Sequence, residues 1–179
     1  MSAQLTALMP LIFNDNDLPT DFDRCHNWAL YITVYATGHT ISRVLIDNGL
    51  ALNICLVRTF ERIGIDLAFL KSSQLTITAY DGSKRQAKCI LPLALTIGPI
   101  SQIVRFHVSD IDHSFNLLLG RPWHHENLAI ASTLHQCLKI PTARGIVTVF
   151  VDHPQTINLL DLDQSWSIND RGAMTSPPW

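Results

Sequence analysis

Between Trp28 and Val151 the chain is a succession of short apolar runs, rich in β-branched residues and cut off every few positions by Gly, Pro, Asn or Asp. Runs this short read as strands, because a buried helix needs roughly ten or more residues. Residues 31–35 (Tyr-Ile-Thr-Val-Tyr) alternate, Gly38-His39 supplies a turn, and 41–46 begins a second strand, which together make a hairpin. A third apolar run covers 50–55. Over 56–63, Val57, Phe60 and Ile63 fall at helical spacing, with Gly64 placed to stop the helix. Residues 75–79 alternate again, Asp81-Gly82-Ser83 turns, and 87–97 is strand-like, so this stretch predicts a long hairpin with an exposed tip. Gly98-Pro99 leads into a strand at 103–108. The run 115–119 stops at Gly120, and Pro122 suits the first turn of a short helix over 121–128. Residues 134–140 and 146–151 are late strands. The expectation is a mostly β domain over 28–151 with one or two short helices. A polar, acidic linker or loosely held arm (1–27) precedes it, and a tail (152–179) with a frayed end follows it.

Composition narrows the function classes. With 179 residues, 47% of them hydrophobic and 16% charged, the chain can bury a core and is not a disordered segment. Thirteen basic against fifteen acidic side chains leave a net charge of −2, so no electrostatic footprint points to nucleic acid or to an anionic membrane. Cys25, Cys55, Cys89 and Cys137 form no C-x-x-C pair and no dense disulfide framework, and read as buried thiols in a reducing compartment. No apolar run reaches the ~18 residues of a membrane span, and the N-terminus lacks the basic start and small-residue site of a secretory signal. The expected location is intracellular and cytoplasmic.

The segment Val44-Leu45-Ile46-Asp47-Asn48-Gly49 carries the chemistry. It ends a buried strand on an ionisable carboxylate just before a glycine turn. A carboxylate so close to the core is costly unless it is hydrogen-bonded or functional. Asp47 capping its own turn is one reading. The other sets Asp47 against a second carboxylate, so that the pair shares one proton and works as acid and base together. A second D-x-G, Asp170-Arg171-Gly172, follows no buried strand and reads as chance.

Several ordered motifs then resemble the retropepsin-like proteases of gypsy-type long-terminal-repeat retrotransposons, the plant elements in particular. They are His26-Asn27, Ala29-Leu30-Tyr31-Ile32-Thr33-Val34, Arg43 through Gly49, Ala51-Leu52-Asn53-Ile54-Cys55, Ala79-Tyr80-Asp81-Gly82-Ser83, Phe115-Asn116-Leu117-Leu118-Leu119-Gly120-Arg121-Pro122-Trp123-His124, and Leu134-His135-Gln136. The likeness spans roughly 11–150. It implies a closed β-barrel, the half of an acid protease, with Asp47 catalytic and Asn48 and Gly49 completing the active-site loop. Asn48 stands where most retropepsins have Ser or Thr. Tyr80, Asp81 and Gly82 are the implied tip of a substrate-covering flap, and Leu118, Leu119 and Gly120 the implied support beneath the loop. Leu50 departs from the family's small residue after the glycine, and Leu56 from a common proline.

A single such loop supplies one carboxylate where the reaction needs two, so the resemblance implies a two-fold homodimer in which the Asp47 residues meet at the axis. The strand at 146–151 is a candidate for interlocking the subunits. Its partners are then itself and a peptide or polyprotein substrate. No cofactor, metal, nucleic acid or membrane is implied. The densest histidine group, His124, His125 and His135 with Cys137, has no zinc-site spacing. Nucleotide loops, a serine-hydrolase elbow and basic-aromatic stacking surfaces are absent. Two classes remain: an aspartic endopeptidase, and a decayed retropepsin-fold dimer that binds peptides without cutting them.

Overall fold

In the computed structural model the described residues are 10–20, 28–65, 70–78 and 84–152. Tyr31–Ala36 (β1) and His39–Ile46 (β2) make the hairpin expected from their alternation, turned at Thr37 and Gly38. The hairpin carries a bulge. Ile32 faces Val44 but Val34 faces Ile41, so Ser42 and Arg43 together oppose Thr33. The extra residue lets Ile41 and Val44, three apart, both enter the core, and it places Arg43 at φ 54°.

Ile54–Leu56 (β3) leads into the helix Val57–Arg62 (α1), which ends at Ile63 with Gly64 at φ 68°. Lys71–Ser72 (β4) is a two-residue edge strand. Thr76–Thr78 (β5) and Lys84–Gln86 (β6) pair as the base of a hairpin. Cys89–Ile97 (β7) and Ile100–Ser109 (β8) form the longest hairpin, starting three residues earlier at its second strand than the sequence pattern predicts. Cys89, Leu91, Leu93, Leu95 and Ile97 all point inward along β7. Pro92 falls in the gap between β4 and β1 on the other edge of β7, where no ladder needs its missing N–H. Leu117–Leu119 (β9), Arg121–Asn127 (α2), Ile130–Ser132 (β10), Cys137–Thr142 (β11) and Gly145–Phe150 (β12) complete the described chain.

The main sheet runs β1-β2-β9-β3-β8-β7-β4, and β1 also pairs with β7, so six strands close into a barrel. β9 lies between β2, which it meets in parallel, and β3, which it meets antiparallel. Its three leucines are buried on both faces: Leu117 and Leu119 join the main core, and Leu118 joins a second cluster with Ile54, Leu56, Ile77, Ala87 and Phe115. A smaller sheet, β10-β11-β12, packs Leu138, Ile140 and Val149 into the main core. β12 is paired with β11 within the chain, and its other edge has no strand partner among the described residues.

Part of the arm is docked. Residues Asp15–Asp17 form one 3-10 turn capped by Asn14, and the buried Asp17 carboxylate accepts from Lys139 Nζ at 2.8 Å. Lys139 also donates to the Ile12 carbonyl at 2.7 Å and sits 5.0 Å from the centre of the Phe13 ring. A lysine inside the apolar run Cys137–Thr142 needs such partners. Cys55, Cys89 and Cys137 are buried free thiols, and burial pushes Cys55 up to about 12.

Candidate active site

Asp47, at the end of β2, is held once through its main chain and once through its carboxylate. Asp47 N–H donates to the Leu119 carbonyl at 3.0 Å, and the Gly49 N–H donates to Asp47 Oδ1 at 2.8 Å. Asp47 is half-buried, whereas Asn48 and Gly49 are exposed, so the carboxylate sits at the surface of the barrel with one oxygen fixed. A Cβ at Gly49 would lie 3.1 Å from that oxygen. Glycine there keeps the loop tight against its own acid.

The loop 47–53 rests on the segment that follows β9. Arg121 N–H donates to the Leu50 carbonyl at 2.8 Å, and Gly120 N–H donates to Asn53 Oδ1 at 2.9 Å. A Cβ at Gly120 would clash with the Leu52 carbonyl and lie 2.7 Å from the Leu50 carbonyl. Only glycine lets the two backbones approach this closely. The structure therefore seats the loop that begins with Asp47, Asn48 and Gly49 on the segment Leu119-Gly120-Arg121 through Asp47, Leu50, Leu52 and Asn53, while Leu118 faces the second cluster. Tyr80, Asp81 and Gly82 lie outside the described residues; the strands on either side of them, β5 and β6, are paired, and Ile77 of β5 is buried in the second cluster. Leu50 is half-buried and packs against that same cluster.

Residues beyond the sequence-predicted set complete the support. Asn53 is buried, accepts from Gly120 and donates its Nδ2 to the Arg105 carbonyl at 3.2 Å, tying the loop to β8. Asn116 donates to the Ser42 carbonyl at 2.8 Å and accepts from Thr59 Oγ1, while its backbone bonds Arg43 and Leu56. Their signal in the sequence is an amide set inside an apolar run, Leu52-Asn53-Ile54 and Phe115-Asn116-Leu117, which is costly unless every polar atom is used.

Of the histidine group, His124 is buried beneath this loop, with its backbone N–H on the Gly120 carbonyl and Nδ1 3.4 Å from the Ala129 carbonyl. Burial pushes its imidazole below the ordinary histidine range, against the opposing pull of the Ala129 and Leu119 backbone and, more weakly, of Asp47. His125 is exposed, and His135 contacts Ser132 Oγ at 2.8 Å. Among the described residues no group of three or more His, Cys, Asp or Glu side chains is placed to hold a metal. Among them, too, no helix is long and apolar enough to cross a membrane.

No family model and no curated protein matches this sequence. Solved structures do. The retroviral protease-like domain of Ddi1 from Leishmania major superposes with a TM-score of 0.52 at 16% identity, over 68% of this chain and 94% of that one. The fold is retropepsin-like. EIAV protease, solved with the inhibitor HBY-793, gives a TM-score of 0.50 at 17% identity, over 59% of this chain and 94% of that one. At these identities the likeness is one of fold. A retropepsin-like barrel with one or two short helices is what the sequence implies; the structure has that barrel with α1 and α2, and Asp47 stands at the end of one of its strands.

Proposed function

We propose that the chain is an aspartic endopeptidase of retrotransposon type, gypsy-like in origin, whose protease domain covers residues 28–151 and cuts peptide bonds in a polyprotein. The observation that carries this reading is Asp47: a carboxylate at the barrel surface, one oxygen fixed by Gly49 N–H, in a loop locked onto Leu119-Gly120-Arg121. One copy offers one such carboxylate, so the working species is a homodimer with two Asp47 side chains at its axis. Like charges at close range share a proton. The ionised carboxylate takes a proton from water as that water attacks the peptide carbonyl, and the protonated one donates to the carbonyl oxygen. Tyr80, Asp81 and Gly82 close over the peptide in this scheme. The edge of β12 away from β11, without a strand partner among the described residues, and the exposed Phe150 in that strand suit an interlock between copies.

The alternative, a retropepsin-fold dimer that binds peptides without cutting them, rests on Leu50, a bulky residue where the family has a small one. Its side chain packs against the cluster containing Leu56 and Leu118, which favours the enzyme.

The test is peptide cleavage from pH 4 to 7 by the chain and by Asp47→Asn, each sized for dimer. Asparagine keeps the acceptor for Gly49 N–H and so spares the loop. Cleavage that disappears in the variant is the expected result; a confirmed dimer of the parent chain that cuts nothing refutes the proposal.

A further inference from the structure

Away from Asp47, three arginines line one open cavity of about 360 Å³. Arg43 comes from the β2 bulge, Arg58 and Arg62 from α1, and Thr59, Ser114 and Asn116 supply the rest of the wall. None of the three is paired with a carboxylate among the described residues; the ion pairs there are Lys88–Asp110 and Lys139–Asp17. Three cations around one open cavity repel, water and salt screen that repulsion, and an entering anion would turn it into attraction.

The cavity is built on fixed parts. Arg58 Nη2 donates to the carbonyls of His113 and Phe115 at 2.6 and 2.7 Å, which sets its guanidinium plane and leaves its other N–H groups to spare. Asn116 forms a buried floor, bonded to Ser42 and Thr59. Arg43 holds φ 54°, a conformation unusual for a side chain other than glycine and often kept where function needs it. Glycine would fill that backbone position without strain, yet the bulge carries a guanidinium.

We infer that this cavity is a binding site for a phosphate-class oxyanion. A carboxylate brings one charge. A phosphate near neutral pH brings about 1.5 to 2, with oxygens that guanidinium forks meet in pairs and that Ser114 Oγ can also approach. Occupancy would tie β2, α1 and the turn before β9 together, and β2 and β9 are the strands that converge on Asp47. The inference stands on these residues whether or not the chain is a protease.

Calorimetric titration of the full chain with inorganic phosphate, at ionic strength held constant with sodium chloride, tests it. Saturable binding at one site per chain is expected, weakened about tenfold or more in Arg62→Ala and in Arg43→Gly. The Arg62 side chain donates no hydrogen bond among the described residues, and glycine accepts the Arg43 backbone, so both variants should fold; circular dichroism checks this. A phosphoserine tripeptide that binds more tightly than inorganic phosphate assigns the site to phosphorylated protein, and equal or weaker binding assigns it to free phosphate. Absence of saturable binding overturns the inference. So does a Kd unchanged in both variants, or acetate binding as tightly as phosphate.

Discussion

Alanine at Gly120 probes the contact that holds the Asp47 loop. Gly120 has φ −91° and ψ −168°, a conformation alanine adopts freely, so backbone strain contributes nothing to the outcome. The cost is steric. The new methyl would meet the carbonyl oxygens of Leu50 and Leu52, the former at 2.7 Å and the latter closer still. Neither is the far end of a flexible side chain. Relief requires the 47–53 loop to withdraw by roughly 1 Å at Leu52, stretching the Arg121-to-Leu50 and Gly120-to-Asn53 bonds. Overpacking costs about 1–3 kcal/mol, and backbone on both sides puts this case at the upper end, near 3 kcal/mol. For a domain of this size that is a fall of roughly 10 °C in Tm. Gly38→Ala is the control: no atom lies within 4 Å, but φ is 84°, so it should cost only about 1 kcal/mol through conformation. Urea unfolding followed by tryptophan fluorescence reads both. Equal losses in the two variants, or a loss below about 0.5 kcal/mol at Gly120, would refute the steric reasoning. Because Asp47 rides on the displaced loop, any cleavage activity should fall about a hundredfold in Gly120→Ala.

Other outcomes follow from single contacts. Lys139→Met strands the Asp17 carboxylate in a buried position and should cost roughly 3 kcal/mol, read by thermal unfolding at pH 7, with residues 10–20 then open to limited proteolysis. Lys139 holds Asp17 below the ordinary carboxylate range, so this contribution is present above the unfolded aspartate pKa near 4 and fades as pH falls through the folded value. Asp152 has the opposite sign. Burial pushes it up to about 6, against a 2.7 Å hydrogen bond from Thr33, so the folded chain holds a proton that the unfolded chain releases. Stability should decline between about pH 4 and 6 by an amount on the order of 2 kcal/mol, and Asp152→Asn should flatten that decline in a series of unfolding curves. Asn53→Asp keeps an acceptor for Gly120 N–H but turns a carboxylate oxygen toward the Arg105 carbonyl; it should lose about 2 kcal/mol at pH 7 and recover part of that at pH 4.

Much of the barrel was legible because its strands obey local rules. The β1–β2 hairpin, the inward alternation of β7, α1 with its terminal Gly64 and α2 with Pro122 in its first turn all carry their own signals. The Asp47 loop was legible for a related reason: an acid at the end of Val44-Leu45-Ile46 cannot be accidental at low cost. What the pattern hid depends on partners far along the chain. The bulge at Ser42-Arg43 carries no glycine to announce it. β10 is three residues long and half exposed, without alternation to betray it. Asp17 looked like one more acid in a polar arm until Lys139, over a hundred residues away, took its charge. Asn53 and Asn116 stood in plain view inside apolar runs, but the atoms they bond belong to β8, β2 and α1, which no local window contains.

The insertion of β9 between β2 and β3 also sets an order of events. Asp47 belongs to a hairpin whose contacts are local and can form early, yet the strand that seats its loop arrives some seventy residues later. Threading Leu117–Leu119 into a gap already flanked by two strands carries the loop-closure cost of everything between, so this step is expected to be slow and late. Until it happens, the carboxylate is present but unaimed. A ribosome extending this chain would therefore carry a nascent hairpin whose acid has no seat, and the Asp47 loop would take its shape only after the barrel has been sealed.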